Sequence, residues 1–190
     1  MPPETIDVID LQHAVANFRD QKAYGKLFVY FYSPLIRFAF SIVKSKEAAE
    51  EIYADVMMKL WDLEQALVQI QNLRVYLFVS VKNASLNYVL KYNKLKIVDI
   101  STINVHLVHP EKTSEERFFE SDFNQATAAA INALPAKCGL VYQLIREHGL
   151  SYKEVAQIME ISINTVEGHM TTALKKITQS LRRHLLPGQN

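Results

Sequence analysis

The sequence predicts an all-α protein made of two helical domains joined by a flexible linker. Hydrophobic residues make up 49% of the chain, whereas glycine and proline number only five and six, which favours helices over a turn-rich β fold. Apolar residues recur at three- and four-residue spacing over most of the chain, as they do on the buried face of a helix. This periodicity lapses in the middle, so we expect domains over 1–95 and 123–190 and a linker over 96–122.

Composition excludes several classes of protein. A single cysteine, Cys138, rules out a disulfide framework and a cysteine zinc site, and it fits a reducing cytoplasm. The N-terminus lacks the basic and apolar segments of a secretion signal. The apolar run from Leu27 to Ile36 is interrupted by Pro34 and is too short to span a bilayer. We therefore expect a cytoplasmic protein.

Charge is sorted along the chain although the formal net charge is only +1. Residues 65–98 contain five Lys or Arg and no acid, and residues 168–190 contain four and no acid. Residues 46–64 hold six acids against two bases, and residues 111–122 hold five against two. Two separate basic segments indicate two contacts with a polyanion, while the acidic ones indicate a different partner or a repelling linker.

The first domain begins with helices that bury apolar faces. We expect an opening helix over residues 10–19 with Leu11, Ala14, Val15 and Phe18 inward. Aromatic and apolar residues crowd the next segment to Val43, where a bundle core is a better interpretation than a cofactor site. Within it, Ser33 and Pro34 suit the N-cap and first position of a new helix.

A helix from Ser45 to about Leu63 and a helix from Leu73 to about Tyr92 complete this domain. The first buries Ile52, Val56 and Leu60, and its charged face is either simply solvated or a docking surface for a large protein. Residues 64–72 are expected to form a loop. The far half of the second helix carries amides, aromatic rings and cations that suit unpaired nucleic-acid bases: Lys82, Asn83, Asn87, Tyr88, Lys91 and Tyr92. The alternative is that these residues are ordinary surface polarity at a helix end.

No catalytic or metal site is indicated. His106, His109 and Glu111 lie in the linker, with no predicted helix to aim them at a metal ion. The chain shows no nucleophile beside a base and no Gly-rich phosphate loop. We expect no cofactor, no small-molecule substrate and no enzymatic activity.

The second domain ends in a helix-turn-helix. Helices are expected over 123–134 and from Pro135 to the stop at Gly149. Ser151 and Glu154 have the spacing of a capping box, which starts a short helix that buries Val155, Ala156 and Met159. A turn follows, and Ser162 caps the last helix.

That last helix predicts a DNA-reading face. Its inward face is expected to hold Val166, Met170, Ala173, Leu174, Ile177 and Leu181. Its outer face is small and polar at first and basic later, as a helix in a major groove requires: Asn164, Thr165, Gly168, His169, Thr171, Thr172 and Lys175. Glycine is unfavourable inside a helix, so its presence at Gly168 on the outer face indicates close approach to another molecule. An ordinary wet helical hairpin is the alternative, and the coincidence of cap, turn and basic tail favours DNA.

In this order the segments resemble the extracytoplasmic-function sigma factors of bacterial RNA polymerase. The resemblance is carried by residues 32–39 (YSPLIRFA), residues 48–61 (AAEEIYADVMMKLW), residues 73–88, and residues 134–135 with 149–166. Each motif alone is weak, but four in order over most of the chain are specific. The string Thr-Val-Glu-Gly-His-Met, residues 165–170, is similar to the versions in Bacteroidetes.

The resemblance implies a function and its partners. Glu51, Asp55 and Lys59 would meet the clamp coiled coil of core RNA polymerase, and Asn83 with the loop at 63–72 would hold a flipped base of the promoter −10 element. The outer face of the last helix would read the −35 duplex, and the acidic linker would thread toward the RNA channel. An anti-sigma factor, often membrane-anchored in Bacteroidetes, is the further partner that it implies.

Two departures and one rival accompany this resemblance. Many members carry Gln where Ala54 stands, so part of the docking contact with polymerase is expected to differ here. They often carry Arg at the positions of Glu167, His169 and Thr172, so the −35 sequence read here is expected to be unusual and its contacts weaker. The rival is a conventional transcription factor of the response-regulator type, which binds duplex DNA without core polymerase. The absence of strand-like alternation in the first half of the sequence counts against it.

Overall fold

The computed structural model describes residues 7–92 and 122–185, excluding the side chains of 122–125 and 184–185. These residues form eight α-helices, one 3₁₀ helix and no strand, which confirms the all-α prediction. The elements are α1 (Val8–Phe18), α2 (Gln21–Val43), α3 (Lys46–Asp62), the 3₁₀ helix (Glu64–Gln69), α4 (Leu73–Tyr92), α5 (Asp122–Asn132), α6 (Ala136–Arg146), α7 (Tyr152–Met159) and α8 (Ile163–Leu185).

Helix α1 packs against α2 and the 3₁₀ helix largely with the expected face, since Val15 is buried and Leu11 and Ala14 are partly buried against the core. Its buried residues are Gln12, Val15 and Ala16, whereas Phe18 is 81% exposed. The expectation that Phe18 faces inward is therefore wrong; it is the last residue of α1, which ends where Arg19 takes a left-handed conformation (φ 51°). The Gln12 side chain is buried because its amide donates to the backbone of the 3₁₀ helix.

Helix α2 runs unbroken through Pro34, so the expectation of a new helix at Ser33 and Pro34 is wrong. An internal proline costs a helix roughly 3 kcal/mol. Its buried face is continuous across that point, with Leu27, Phe31 and Leu35 essentially inaccessible to solvent. Burying each such side chain contributes about 1.5–3 kcal/mol, so the packing outweighs the defect. Among the described helices, α2 alone is long enough and apolar enough to span a membrane. Buried core helices of other proteins have the same length and composition.

Helices α3 and α4 match their predicted spans closely. Ser45 caps α3 by accepting a hydrogen bond from the Ala48 amide, and Asn72 caps α4 by accepting one from Val75. Between them, the expected loop contains the 3₁₀ helix, whose Leu67 is fully buried. The segment that connects the two helices is thereby held against the core.

The second domain consists of α5, α6, α7 and α8, as predicted. The capping box is present, since Ser151 accepts from the Glu154 amide and the Glu154 carboxylate accepts from the Ser151 amide. Gly149 supplies a left-handed turn (φ 62°) ahead of it. Leu174, expected inward, is 47% exposed, because α8 buries the narrower stripe of Val166, Met170, Ala173 and Ile177.

The two domains pack against each other in one continuous core. Helix α4 contacts α7, and the ring of His148 lies 5.2 Å from that of Phe78 and 6.4 Å from that of Phe38. His148 is buried, so this contact is shielded from water. The pairing of α4 with α7 determines which side of α4 remains open to solvent.

Candidate nucleic-acid interface

Helix α8 presents an open polar face beyond its buried stripe. Asn164, Thr165, Gly168, Thr171, Thr172 and Lys175 are exposed, as the sequence predicts. A Cβ atom added at Gly168 would have no neighbouring atom within 4 Å, so no part of the described chain requires glycine there. Thr172 donates its hydroxyl to the Gly168 carbonyl at 2.9 Å. The N-terminal half of this face is therefore flat and small enough for close approach by a rigid surface such as a groove edge.

Two residues of this face are partly engaged within the domain. The Thr165 hydroxyl lies 2.8 Å from that of Ser162, the residue whose side chain accepts the Thr165 amide and so caps α8. His169 is half-buried, and its Nδ1 lies 3.5 Å from the Cys138 sulfur of α6. Partial burial lowers the pKa of His169, and the positive charge of nearby Lys137 lowers it further. The ring is therefore neutral at pH 7.

Helix α4 carries a second exposed stripe. Asn83, Asn87 and Lys91 follow one another at four-residue spacing and are all exposed. Tyr88 lies beside them and is half-buried. Its ring stacks on that of Tyr92, with centroids 4.3 Å apart and planes inclined by 30°, and the Lys91 ammonium lies 5.9 Å from the Tyr92 centroid. Five of the six residues predicted to suit unpaired bases thus share one surface, and the exposed ring of Tyr92 lies at its end.

Lys82, the sixth, is not on this surface. Its side chain is 4% exposed and its ammonium donates to the Ile158 carbonyl at 2.8 Å and to the Glu160 carboxylate at 2.6 Å. Lys82 is one residue before Asn83, and one helical step of about 100° turns it toward α7. The expectation that Lys82 is presented to DNA alongside Asn83 is wrong for this conformation of the chain.

Helix α3 carries the predicted polymerase-docking residues on an exposed stripe. Glu51, Asp55 and Lys59 recur every four residues, all open to solvent. The exposed apolar side chain of Met58 adjoins Lys59 in the sequence, and it lines a shallow groove with Gln21, Tyr24 and Trp61. The sequence pattern did not identify this groove, because its other wall comes from α2.

Several polar contacts between the two domains were also not identified from the sequence. The Arg74 guanidinium donates to the His148 carbonyl, and the Asn72 amide donates to the Glu154 carboxylate at 3.1 Å. Burial raises the pKa of Glu154, but hydrogen bonds from Ser151 and Asn72 outweigh it and leave that pKa lowered. The spacing of Arg74, Phe78 and Lys82 places them on one face of α4, a signal that could have indicated a shared partner.

Within residues 7–92 and 122–185, no cluster of three or more His, Cys, Asp or Glu side chains could hold a metal ion. The linker residues His106, His109 and Glu111, and the acidic segment around them, lie outside the described residues.

Comparison with known proteins agrees with this arrangement. Residues 27–94 match the family model described as Sigma-70 region 2, and residues 124–177 match Sigma-70, region 4. No curated protein matches the sequence.

Several solved structures resemble the chain, and two of them cover most of it. CnrH, in complex with the cytosolic domain of CnrY, has a TM-score of 0.63 and 18% identity, covering 92% of this chain and 97% of its own. The sigma factor RpoE from Bartonella quintana, in complex with the anti-sigma factor NepR, has a TM-score of 0.61 and 22% identity, covering 85% of this chain and 98% of its own. At these identities the similarity establishes a shared fold.

Proposed function

This chain belongs to the sigma-70 family, whose members direct core RNA polymerase to promoters, and we propose that it works as an extracytoplasmic-function sigma factor with two DNA-reading surfaces. The single observation that carries this is the exposed outer face of α8, which is small and uncharged near its start and basic from Lys175 onward. Such a face suits base edges first and phosphates further along. It would read the −35 duplex.

The exposed stripe of α4 would hold the −10 element after strand separation. Asn83 and Asn87 offer amide donors and acceptors for base edges, and Lys91 offers a cation for the backbone. Extruding a base costs a few kcal/mol, which contacts to the extruded base can repay. Binding energy, rather than catalysis, would then drive promoter opening.

Glu51, Asp55 and Lys59 would dock on core polymerase. Their support is a shared exposed stripe with charges of both signs and the adjoining apolar side chain of Met58. Docking on the polymerase would precede DNA reading, because two weak sites gain affinity only when they are held at the correct span.

We propose four further features of this chain. An anti-sigma factor is the regulatory partner, since the sigma factor RpoE, which shares this fold, is bound to the anti-sigma factor NepR. The chain has no catalytic activity of its own, in keeping with its family. It acts in the cytoplasm, where bacterial transcription takes place. We also propose domain boundaries at about 95 and 123, between which the helical periodicity of the sequence lapses.

The direct test is a pull-down of purified core RNA polymerase by the chain, followed by run-off transcription from intact and pre-melted promoters. We expect core binding and new start sites on both templates. A protein that binds duplex DNA as a dimer and ignores core polymerase would refute the proposal.

A further inference from the structure

A buried cysteine of α6 contacts a histidine of α8, the helix with the proposed −35 surface. The Cys138 sulfur lies 3.5 Å from Nδ1 of His169, which is within hydrogen-bond distance for sulfur. Cys138 is 5% exposed. It packs in a small apolar cluster with Ala130, Leu134, Ala173 and Ile177. His169 is half-buried, so the contact joins the packed interior of the second domain to the edge of its open face.

Both groups are uncharged at neutral pH. Burial raises the pKa of the Cys138 thiol, and the charge of Lys176 offsets this only in part, so the S–H bond is retained. The His169 ring is neutral because burial and Lys137 lower its pKa. A neutral imidazole carries its proton on one nitrogen and accepts on the other. The contact is therefore either a thiol that donates to Nδ1 or an Nδ1–H that donates to sulfur.

The first of these arrangements uses the better acceptor. Sulfur accepts hydrogen bonds weakly, whereas the unprotonated nitrogen of imidazole is an ordinary acceptor. If Nδ1 carried the proton, the only N–H of the ring would point at sulfur in an apolar cluster. With the thiol as donor, Nδ1 has a partner and the ring proton lies on Nε2, where a stronger acceptor can bind it. The geometry thus favours the Nε2–H form of His169.

Nε2 lies on the solvent side of the ring. The two ring nitrogens are separated by one carbon and point in diverging directions, so Nε2 points away from α6 when Nδ1 contacts Cys138. Within residues 7–92 and 122–185, the hydrogen bond recorded for this ring is the one with Cys138, and Nε2 is not among the buried polar atoms that lack a partner. Thr165 and Thr172 lie four residues before and three residues after His169, and both are exposed. The Nε2–H is thereby presented beside two residues of the proposed −35 surface.

We propose that Cys138 is a positioning residue for −35 recognition: its thiol holds His169 in the Nε2–H form, and this single uncharged donor selects guanine at one base pair. In the major groove guanine presents two neighbouring acceptors, N7 and O6. Cytosine presents an amino donor, adenine places a donor beside its acceptor, and thymine places a methyl group beside its own. This inference rests on the proposed −35 role of α8, and it adds the base that His169 reads and the residue that fixes its ring.

The protonated ring nitrogen can be measured directly on the free chain. Long-range proton–nitrogen NMR spectra of the isotope-labelled full chain in reducing buffer distinguish the two neutral forms of His169. We expect the Nε2–H form in the wild type, a mixture of both forms in Cys138→Ala, and a return to the Nε2–H form in Cys138→Ser, whose hydroxyl can donate in place of the thiol. Thermal unfolding confirms that each variant is folded. A wild-type ring protonated at Nδ1, or a Cys138→Ala ring identical to the wild type, would overturn the inference.

Base preference is measured with the full chain bound to core RNA polymerase. Selection from a pool of duplex DNA of random sequence gives the preference at each position of the −35 element. We expect Cys138→Ala to lower the preference for guanine at one position about two- to tenfold, the value of one hydrogen bond, and to leave the other positions unchanged. Cys138→Ser should retain the preference. An equal loss at all positions would mean that Cys138 only packs α6 against α8.

A second substitution tests whether Cys138 acts through His169. The side-chain amide of His169→Gln does not depend on the thiol, so adding Cys138→Ala to it should cause no further change at that base pair. A further loss there would contradict the inference. The NMR measurement needs neither polymerase nor DNA, so it can fail while core binding and start sites are as proposed. Loss of core binding would refute the proposed function and leave the NMR result unchanged.

Discussion

The Gln12 side chain of α1 donates to the carbonyl of Leu67, 55 residues further along the chain, at a distance of 2.7 Å. The same amide lies 2.8 Å from the carbonyl of Ile70. Two backbone carbonyls of the segment after α3 thereby gain partners from a buried side chain. The resemblance implies that this segment and Asn83 together hold a flipped base, and in that case α1 would stabilise part of the candidate −10 site.

Gln12→Leu should destabilise the protein by about 1–3 kcal/mol, because it removes the amide donor from two backbone carbonyls, one of them buried. The loss appears as a lower midpoint in thermal or urea unfolding. Substitution of the neighbouring exposed residue, His13→Leu, serves as the control and should have little effect. Equal stability of the two variants would mean that water replaces the Gln12 amide at no cost.

Asn83→Ala should impair open-complex formation more than closed-complex binding. The loss of one base contact is worth about 1–3 kcal/mol, so we expect roughly a tenfold decrease in open complexes. Permanganate footprinting measures opening and gel shift at low temperature measures closed-complex binding. Equal loss in the two assays would count against the role proposed for Asn83.

Gly168→Ala should stabilise α8 and weaken −35 binding. Alanine gains about 0.5–1 kcal/mol over glycine inside a helix, and its methyl group meets no atom of the described chain within 4 Å. The same methyl group would obstruct a closely approaching groove edge. Unfolding experiments and gel shifts on −35 duplex DNA measure the two effects, and unchanged DNA affinity would mean that the groove does not approach Gly168 closely.

Leu174→Ala and Ile177→Ala should differ sharply in stability. Leu174 is 47% exposed whereas Ile177 is 8% exposed, although both are apolar residues of α8. We expect a loss of about 2–5 kcal/mol for Ile177→Ala and less than about 1 kcal/mol for Leu174→Ala. Urea unfolding of both variants decides whether the inward face of α8 is the narrow stripe.

His169 should titrate below its ordinary pKa of about 6.5, because burial and Lys137 disfavour its charged form. The unfolded chain then binds more protons than the folded chain between the two values. The contribution of His169 to stability is accordingly complete above the unfolded pKa and falls as pH decreases through the folded pKa. NMR titration of the ring measures the pKa, and Lys137→Gln should raise it. A ring that titrates at or above pH 6.5 would contradict the burial of His169.

The helices and the two surfaces were largely predictable, because both depend on local periodicity. Three- and four-residue spacing predicted α3 and α4 nearly to their ends, and the capping box at Ser151 and Glu154 predicted the start of α7. The same spacing placed Asn83, Asn87 and Lys91 on one exposed stripe. The errors at Phe18, Pro34 and Leu174 arose because tertiary packing decides how far a buried stripe extends and whether a helix continues through a proline, and helical spacing alone cannot tell.

The sequence by itself determined which residues form helices, where the helix-turn-helix begins and which faces are polar, because these follow from interactions within about four residues. Only the tertiary structure decided that the Lys82 side chain is buried and which groups it contacts. Its buried ammonium donates to the Ile158 carbonyl, 76 residues away, and to the Glu160 carboxylate, 78 residues away. No local sequence pattern encodes such pairings. Burial of a charge depends on the partner that folding brings to it, so the same lysine can be assigned to DNA from its helix and to α7 from the fold.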